Sequence, residues 1–518
     1  MLNNVELSNL YAKCDEAKQS WNSFYYEVFA YTQPERNYIW RHSGSGPANL
    51  KQVSLFTQAG KVGANVFVSR IQNKLSPIGK PYISFKPKKS LESNFIQQLR
   101  DFATVMSNKC NEKKEKLKID EKLTECYYDL VAGSACLMRE NSINGLNFKH
   151  LPLTDIRLGT EENQTVCRCF KLPACKIGVI FPELFQKNIQ GIDLKGERKY
   201  EEITLTDVLY YNEKNNIWEY YLRKEDNILL TRKYKKSPYR LFHWSKAGDM
   251  PFGSGVGLQA LPALKRLNSY IKVNLELIPF SFPMFFATSG NFMDRNVTFK
   301  PGGIINVRDI NAVQPVPMST DRQSFMLEIQ KEELDIKSTM LDYTLPNDPR
   351  EMTAAEVYAR SNPQDEMVQM NIARQTSVIK EIAWDIFDDI YERELRGVIE
   401  ISLEDLHEML DCEINNEASI DNNTIQKIQA YIQTVGMIDP QAIWQTLNRA
   451  KTYETLGKAY NLPQNITYTA EEIDERTQQD AEAQANMMQA QANMQMSIDD
   501  NKENAIANRE IAKQQANQ

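Results

Sequence analysis

Histidine is scarce and scattered: the four residues, at 42, 150, 243 and 407, include no His-Glu-x-x-His pair that could hold zinc on one helical face. A Gly-x-x-x-x-Gly-Lys-Ser/Thr loop is missing, so the chain cannot cradle nucleotide phosphates in that way. The eight cysteines, at 14, 110, 126, 136, 167, 169, 175 and 412, form no Cys-x-x-Cys pair. Cys167, Cys169 and Cys175 lack a fourth ligand at metal spacing, so reduced, structural thiols are expected and a metal is not. The longest uncharged run, Leu277 to Met293, is broken by Pro279 and Pro283 and is too short to cross a bilayer. No basic stretch followed by an apolar one opens the chain, so no secretory signal is expected. Positive charge is not in excess either: 61 Lys and Arg against 68 Asp and Glu leave a net charge of −7. That balance disfavours a protein that grips DNA through counterion release, but not one that lets DNA slide past.

What is present is a folded protein's balance, with 42% hydrophobic and 25% charged residues, over a length that exceeds what one core organises. Helical periodicity and a stop at Pro34 place an amphipathic helix over residues 1–32, carrying Leu10, Cys14, Trp21, Phe24, Val28 and Tyr31. Helices are expected over Val53–Lys74, Leu91–Asn111 and Asp120–Ala132. Strands are expected at Tyr82–Phe85, at Ala135–Arg139 and Leu146–His150 around an Asn144-Gly145 turn, and at Val166–Phe170, Leu205–Tyr211, Trp218–Arg223 and Ile228–Tyr234, with a helix near Ala174–Phe185. A long helix from Thr353 to about Arg396, possible to kink at Pro363, precedes shorter ones at Leu403–Leu410, Ile425–Val435, Pro440–Leu447 and Thr452–Tyr460. From Glu471 onward a Gln-, Ala-, Asn- and Met-rich tail has high helix propensity but no core of its own. The fold class is α+β and mainly helical.

The middle of the chain carries the most organised pattern. A helix over Leu261–Ile278 sets Leu264, Leu267, Ile271, Leu275 and Ile278 on one side and Lys265, Ser269, Lys272 and Glu276 on another, with Pro262 in its opening turn. Pro279 and Pro283 end it. A second helix over Thr320–Tyr343, about 35 Å long, gathers Phe325, Ile329, Ile336, Met340 and Tyr343 in one sector. Ser324, Glu328, Lys331, Asp335, Ser338 and Asp342 fall in another sector that has no apolar member. Between the helices lies a Pro- and Gly-rich insert, Phe285–Pro317, with short strands expected at Val297–Phe299 and Ile304–Val307. After them Leu345-Pro-Asn-Asp-Pro-Arg-Glu-Met352 is a loop held open by its prolines, and Thr353-Ala-Ala-Glu356 has the spacing of a capping box. Ahead of the pair, Gly253-Ser-Gly-Val-Gly257 imitates a phosphate-binding turn with the wrong spacing, and a flexible helix entry is expected there. Such a pair makes a stalk, apolar toward its neighbours and polar toward something wet.

The order of glycine-marked turn, helix, insert, helix, charged loop and Thr-Ala-Ala-Glu-Val helix start resembles the portal, or head-to-tail connector, proteins of podovirus-type bacteriophages. Trp21 in the first helix, the segment Gly60–Leu75 before a Pro-Tyr-Ile-Ser-Phe strand, and the Gln/Ala/Met tail agree with the resemblance. It implies a ring-forming, portal-type subunit with a wing over 1–255, stem helices over 256–284 and 319–344, and a clip over 285–318. It also implies a tunnel loop over 345–352, a long wing helix over 353–400, a helical crown over 401–470, and a helical barrel or frayed tail over 471–518. Twelve copies in a ring at one capsid vertex, assembled in the host cytoplasm, would pass double-stranded DNA inward during packaging and outward during ejection. The implied partners are the terminase large subunit, tail adaptor or nozzle proteins, and the major capsid and scaffolding proteins; no membrane, cofactor, metal or enzymatic activity is implied.

On this reading Arg350, Asn347 and Asp348 narrow the channel from the tunnel loop, and Lys331, Glu328, Lys265 and Lys272 face it from the stem. Lys331 is the one cation in an otherwise acidic row, so it offers a passing phosphate a brief contact without a deep well. Lys331 and Arg350 could instead pair with acids on a neighbouring helix. Arg295, Lys300 and Arg308 of the clip would line the exit or bind a partner. Two rivals stand beside this reading. One is a DNA-processing enzyme that uses Asp365 and Glu366, with the tail for oligomerisation; the other is a tail or internal virion protein that self-assembles without a DNA tunnel.

Overall fold

The computed structural model describes residues 2–36, 54–88, 93–142, 145–160, 165–184, 199–225, 227–277, 285–287, 313–315, 322–342, 354–396, 401–414, 430–435, 437 and 452. Asn3 starts the first element. Its side chain accepts from the Glu6 amide while the Glu6 carboxylate accepts from the Asn3 amide, both at 2.8 Å, and this reciprocal cap fixes the start of α1 (Asn4–Thr32). Next come α2 (Ala59–Leu75), β1 (Ile83–Pro87), α3 (Ser93–Lys116) and α4 (Ile119–Leu130). A run of strands follows: β2 (Ser134–Ser142), β3 (Gly145–Leu151), β4 (Ile156–Leu158), β5 (Val166–Pro173), then α5 (Ala174–Ile180), β6 (Glu202–Asn212), β7 (Ile217–Lys224), β8 (Asn227–Tyr234) and β9 (Tyr239–His243). The chain then forms α6 (Val256–Leu277), β10 (Phe285–Ala287), β11 (Val313–Pro315), α7 (Arg322–Thr339), α8 (Ala354–Ile390), α9 (Leu403–Met409) and β12 (Leu410–Ile414).

All the strand pairings are antiparallel. One sheet has the order β3-β2-β9 and another β4-β5-β6-β7-β8, while β1 pairs with β12 and β10 with β11. The strands expected to flank Asn144-Gly145 do pair, Ser142 facing Gly145 and Cys136 facing Leu151. β4, β9 and β12 were not expected, because each is short and takes its hydrogen bonds from a distant or long partner strand rather than from a local repeat. β12 matters most for organisation. Sequence alone puts residues 401–414 in the crown, yet β12 pairs with β1 from Ile83 opposite Ile414 to Pro87 opposite Leu410. The chain's compact units accordingly part between Asn416 and Glu417.

The largest core of the first unit lies among α2, α3, α4, α8, β1 and β12, with Phe67, Tyr127, Phe242, Ile386 and Phe387 closed off from solvent. A second core joins Tyr25, Val28 and Phe29 of α1 to Leu205, Leu209, Tyr220 and Leu222 of the five-stranded sheet and to Phe252. The buried face of α1 differs from the expected one, since Phe24 is exposed and Lys18 is buried. A lysine fits there because its ammonium donates to the Leu153 carbonyl and lies 4.8 Å from the ring centroids of Tyr25 and of Phe252.

The backbone of α8 is helical through Pro363 and widens into a π turn over Tyr391–Leu395. Its last turns are tied to the rest of the unit by ions. Asp385 accepts from Arg139 of β2 at 2.8 Å and from Arg240 of β9 at 2.6 and 3.0 Å. Asp388 meets Lys236 at 3.1 Å and His407 of α9 at 2.6 Å, and Asp389 meets Lys113 of α3 and Arg393. Among the described residues no helix is long and apolar enough to cross a membrane.

Candidate channel-facing helix pair

α6 begins at Val256 rather than Leu261, so Pro262 lies inside the helix and not in its opening turn. A helix start normally leaves its first amides open. Here the Gly255 amide donates to the Ala132 carbonyl at 3.1 Å and the Gly257 amide to the Val131 carbonyl at 2.8 Å, so the turn leaving α4 supplies acceptors that the local sequence does not.

The Gly253–Gly257 turn is therefore a seat and not the flexible entry expected from its composition. A Cβ on Gly255 would lie 2.2 Å from the Val131 carbonyl oxygen. One on Gly133, whose φ is +135°, would lie 2.1 Å from the Gly253 oxygen. Backbone rests directly on backbone, which only glycine allows. The Gly253 amide donates to Ser134 Oγ at 2.8 Å and the Ser254 amide to the Ser245 carbonyl at 2.7 Å. With Gly255 and Gly257 also engaged, these amides are not turned toward a phosphate.

From this seat α6 and α7 run antiparallel. Arg266 clasps Glu332 at 2.7 and 3.0 Å, and farther along Tyr270 meets the Phe325 ring edge-on at 5.6 Å. Leu264, Leu267, Ile329, Ile336 and Met340 close the seam. The expected apolar sector of α7 is the buried one over Phe325, Ile329, Ile336 and Met340. On α6 the match fades with distance from the seat: Ile271 is half-buried and Leu275, beyond the Tyr270–Phe325 contact, is exposed.

α7 has a third face that its polar row conceals. Leu327 and Leu334, seven residues apart and so on one stripe, are each 64% exposed. Beside that stripe run Glu328, Lys331, Asp335 and Ser338, all exposed. Asp342, expected in the same row, is buried, because the helix ends at Thr339 rather than Tyr343. Leu341 takes a left-handed φ of +60°, the Leu341 and Asp342 amides donate back to Ser338 and Lys337 at 3.2 and 2.8 Å, and Arg70 of α2 donates to the Leu341 carbonyl at 2.7 Å. This is a Schellman stop without the usual glycine, so no residue in the sequence announces it.

The expected site residues separate. Lys331 and Glu328 stand exposed with no ion pair among the described residues. Lys265 instead turns to Glu27 of α1 at 2.7 Å, and Lys272 lies 3.8 Å from Glu276 on its own helix. Arg350, Asn347, Asp348, Arg295, Lys300 and Arg308 lie outside the described residues, as do the strands expected at 297–299 and 304–307, Thr353, and the tail from 471. Of the insert, the two ends are described, and they pair, Phe285 opposite Pro315 and Ala287 opposite Val313. Arg266 and Glu332 were missed, since the periodicity of one helix says nothing about which charge meets its partner on another. Also missed was a Ser134–His243 contact, Oγ to Nδ1 at 3.0 Å. Ser134 is buried and already accepts the Gly253 amide, which suits a joint rather than a nucleophile.

A family model described as bacteriophage head to tail connecting protein matches residues 4–468, from the first turn of α1 through the helix pair and α8 and on past β12. The chain belongs to that family. No curated protein matches it. In this connecting protein the acidic end of α8, which could be mistaken for a metal or nuclease cluster, has each carboxylate neutralised by a cation of the same chain. The described residues contain no group of three His, Cys, Asp or Glu side chains placed to hold a metal. Asp365 and Glu366 lie on the α8 backbone with side chains outside the described residues.

Proposed function

We propose that this connecting protein is a podovirus-type portal subunit, twelve copies of which close into a ring at one capsid vertex around a bore lined by α6 and α7. The observation that carries this reading is the third face of α7. An exposed leucine stripe next to an exposed polar row is what a rod needs if one side packs on a neighbouring copy while the adjacent side faces water. Glu328, Lys331 and Asp335 would then meet passing double-stranded DNA through its phosphates, without reading bases. Lys272 lies farther down the same rod. Arg350, Asn347 and Asp348 form the tunnel loop that follows α7 at the opposite end of the pair, and Arg295, Lys300 and Arg308 belong to the clip, where the terminase large subunit and later a tail adaptor dock. The wing and crown face the capsid and scaffolding proteins. The chain has no catalytic role in this scheme; the terminase supplies the work.

Negative-stain images of the purified full-length protein test the reading. Twelve-fold rings with a central hole are expected, and monomers at every salt concentration would overturn it. Arg350→Ala is expected to leave rings intact and to reduce DNA packaging or retention. Failure of that variant to assemble would make the loop structural instead.

A further inference from the structure

In the three-stranded sheet β3 is an edge strand, with β2 on its inner side. Asn147 of β3 stands directly opposite Glu140 of β2, so their side chains share a face of the sheet, with Cβ atoms about 4.5–5.5 Å apart. Lys122, in the first turn of α4, reaches the same edge. Its Nζ donates to Asn147 Oδ1 at 2.8 Å and to the Leu117 carbonyl at 2.8 Å, and these two bonds hold the amine against the amide. Asn147 Cγ is one C=O bond beyond that oxygen, so Nζ lies within about 4 Å of it. The strand neighbours Leu146 and Phe148 are buried, as is Leu123 beside the lysine. Lys122 itself is half-buried, and burial lowers its ammonium from the ordinary lysine value while Glu140 and Glu121 pull the other way.

We propose that Lys122 and Asn147 join in an isopeptide bond, with Glu140 carrying protons, and that this link fastens α4 to the edge of the three-stranded sheet. Nothing in this inference depends on ring formation. The Glu140 carboxylate first takes a proton from the Lys122 ammonium. The lone pair freed on Nζ attacks Asn147 Cγ: a C–N bond forms and the C=O electron pair moves onto Oδ1. Glu140 then hands its proton to Nδ2. The C=O bond re-forms, the Cγ–Nδ2 bond breaks, and the departing ammonia takes the surplus proton from Nζ and leaves as ammonium. Glu140 ends as the carboxylate it began. Nothing is oxidised or reduced, and no other reactant is needed.

Other buried lysines meet partners that cannot react in this way. Lys114 faces the Asp120 carboxylate at 3.1 Å, whose charge resists attack, and Lys18 faces the Leu153 backbone carbonyl, where the same reaction would cut the chain. A side-chain amide opposite a carboxylate presents neither obstacle.

The test incubates purified full-length protein in its native state, then denatures it, digests it with trypsin and reads the peptides by mass spectrometry. Trypsin cuts after Lys118, Arg139 and Lys149 but not after an acylated Lys122, so the link joins Ile119–Arg139 to Glu140–Lys149. Expected is that joined pair, lighter than the sum of its parts by one ammonia and growing with time, with fragments that place the join at Lys122 and Asn147. A succinimide at Asn144-Gly145 also sheds ammonia but leaves the peptides apart, so the joined pair and not the mass alone is the readout. Lys122→Arg should abolish the pair, and Glu140→Gln should slow its formation by about a hundredfold. Lys122 and Asn147 recovered on separate, unmodified peptides after prolonged incubation of the wild type would overturn the proposal. So would a join from Lys122 to another residue, or formation in Glu140→Gln as fast as in wild type. Because the link is read in the wild type, a variant that failed to fold would not obscure the result.

Discussion

Around the end of α8, Asp385, Asp388 and Asp389 are each met by cations of the same chain, and the Phe387 ring among them is closed off from solvent. Along α7, leucines stand 64% exposed, and Glu328 and Lys331 face water with no ion pair among the described residues. The first region settles its polar and apolar groups within one chain. The second has one face packed on α6 and leaves the others unfinished. A single exposed leucine is ordinary. Two on one helical stripe, beside an equally exposed charged row, are what the proposed ring would cover, at about 25 cal/mol for each Å² of apolar area removed from water.

The contrast can be broken from either side, and the largest effect is expected in the body. Asp385→Ala removes the carboxylate partner of Arg139 and leaves the buried guanidinium of Arg240 only Glu381, partly exposed at 3.4 Å, and should cost about 3 kcal/mol, read as a large fall in the urea midpoint of the full-length chain. Gly255→Ala drives a Cβ into the Val131 carbonyl and should cost roughly 1–3 kcal/mol, with α6 losing its seat. If that variant unfolded no more readily than wild type, the close backbone contact would not be holding the rod.

A pH effect of intermediate size sharpens the description of the body. Burial brings the Lys18 ammonium down to about 7, with Arg157 acting in the same direction and Asp129, Asp155 and Asp15 opposing. The unfolded chain keeps that proton up to the ordinary value of 10.5. Between these values the unfolded state binds more protons, so this residue makes stability rise with pH across that window. Lys18→Met should flatten the rise and stabilise the protein below pH 7, as measured by urea midpoints on either side of the window. An unchanged slope would show that the ammonium stays charged in place.

On the rod the order of consequences reverses. Leu327→Ser with Leu334→Ser should move the monomer's stability by no more than about 0.5 kcal/mol while abolishing rings in negative stain. Rings that persist would mean the stripe is not an intersubunit surface. Lys331→Ala should affect neither fold nor ring and show only as altered DNA packaging. A loss of ring formation there would assign Lys331 to a contact between copies.

Much of this was legible in the residues. Period-2 runs located β5, β6, β7 and β8, and the 3.6-residue period located α2, α3, α4 and the buried side of α7. Spacing within one helix failed where the deciding partner lay elsewhere in the chain. Lys265 sits on the same row of α6 as Lys272 yet is committed to Glu27 of α1. Asp342 shares a row with Lys331 yet is buried by a turn at Leu341 that no glycine signals. The helix expected over Leu403–Leu410 ends at Met409, and the residues after it, for which the sequence suggested no strand, pair with the edge that β1 offers.

Sequence by itself determined the periods, the proline and capping stops, the motif order that marks the family, and the absence of any nucleotide or zinc motif. Each of these is a property of neighbours along the chain, where propensity and spacing act. Only the tertiary structure decided that the glycine turn is a rigid seat, that β12 belongs with β1, and that Lys265 pairs with Glu27. Those outcomes depend on backbone groups and side chains brought together across long stretches of chain, and no local pattern encodes which distant partner will satisfy a given donor or cover a given face.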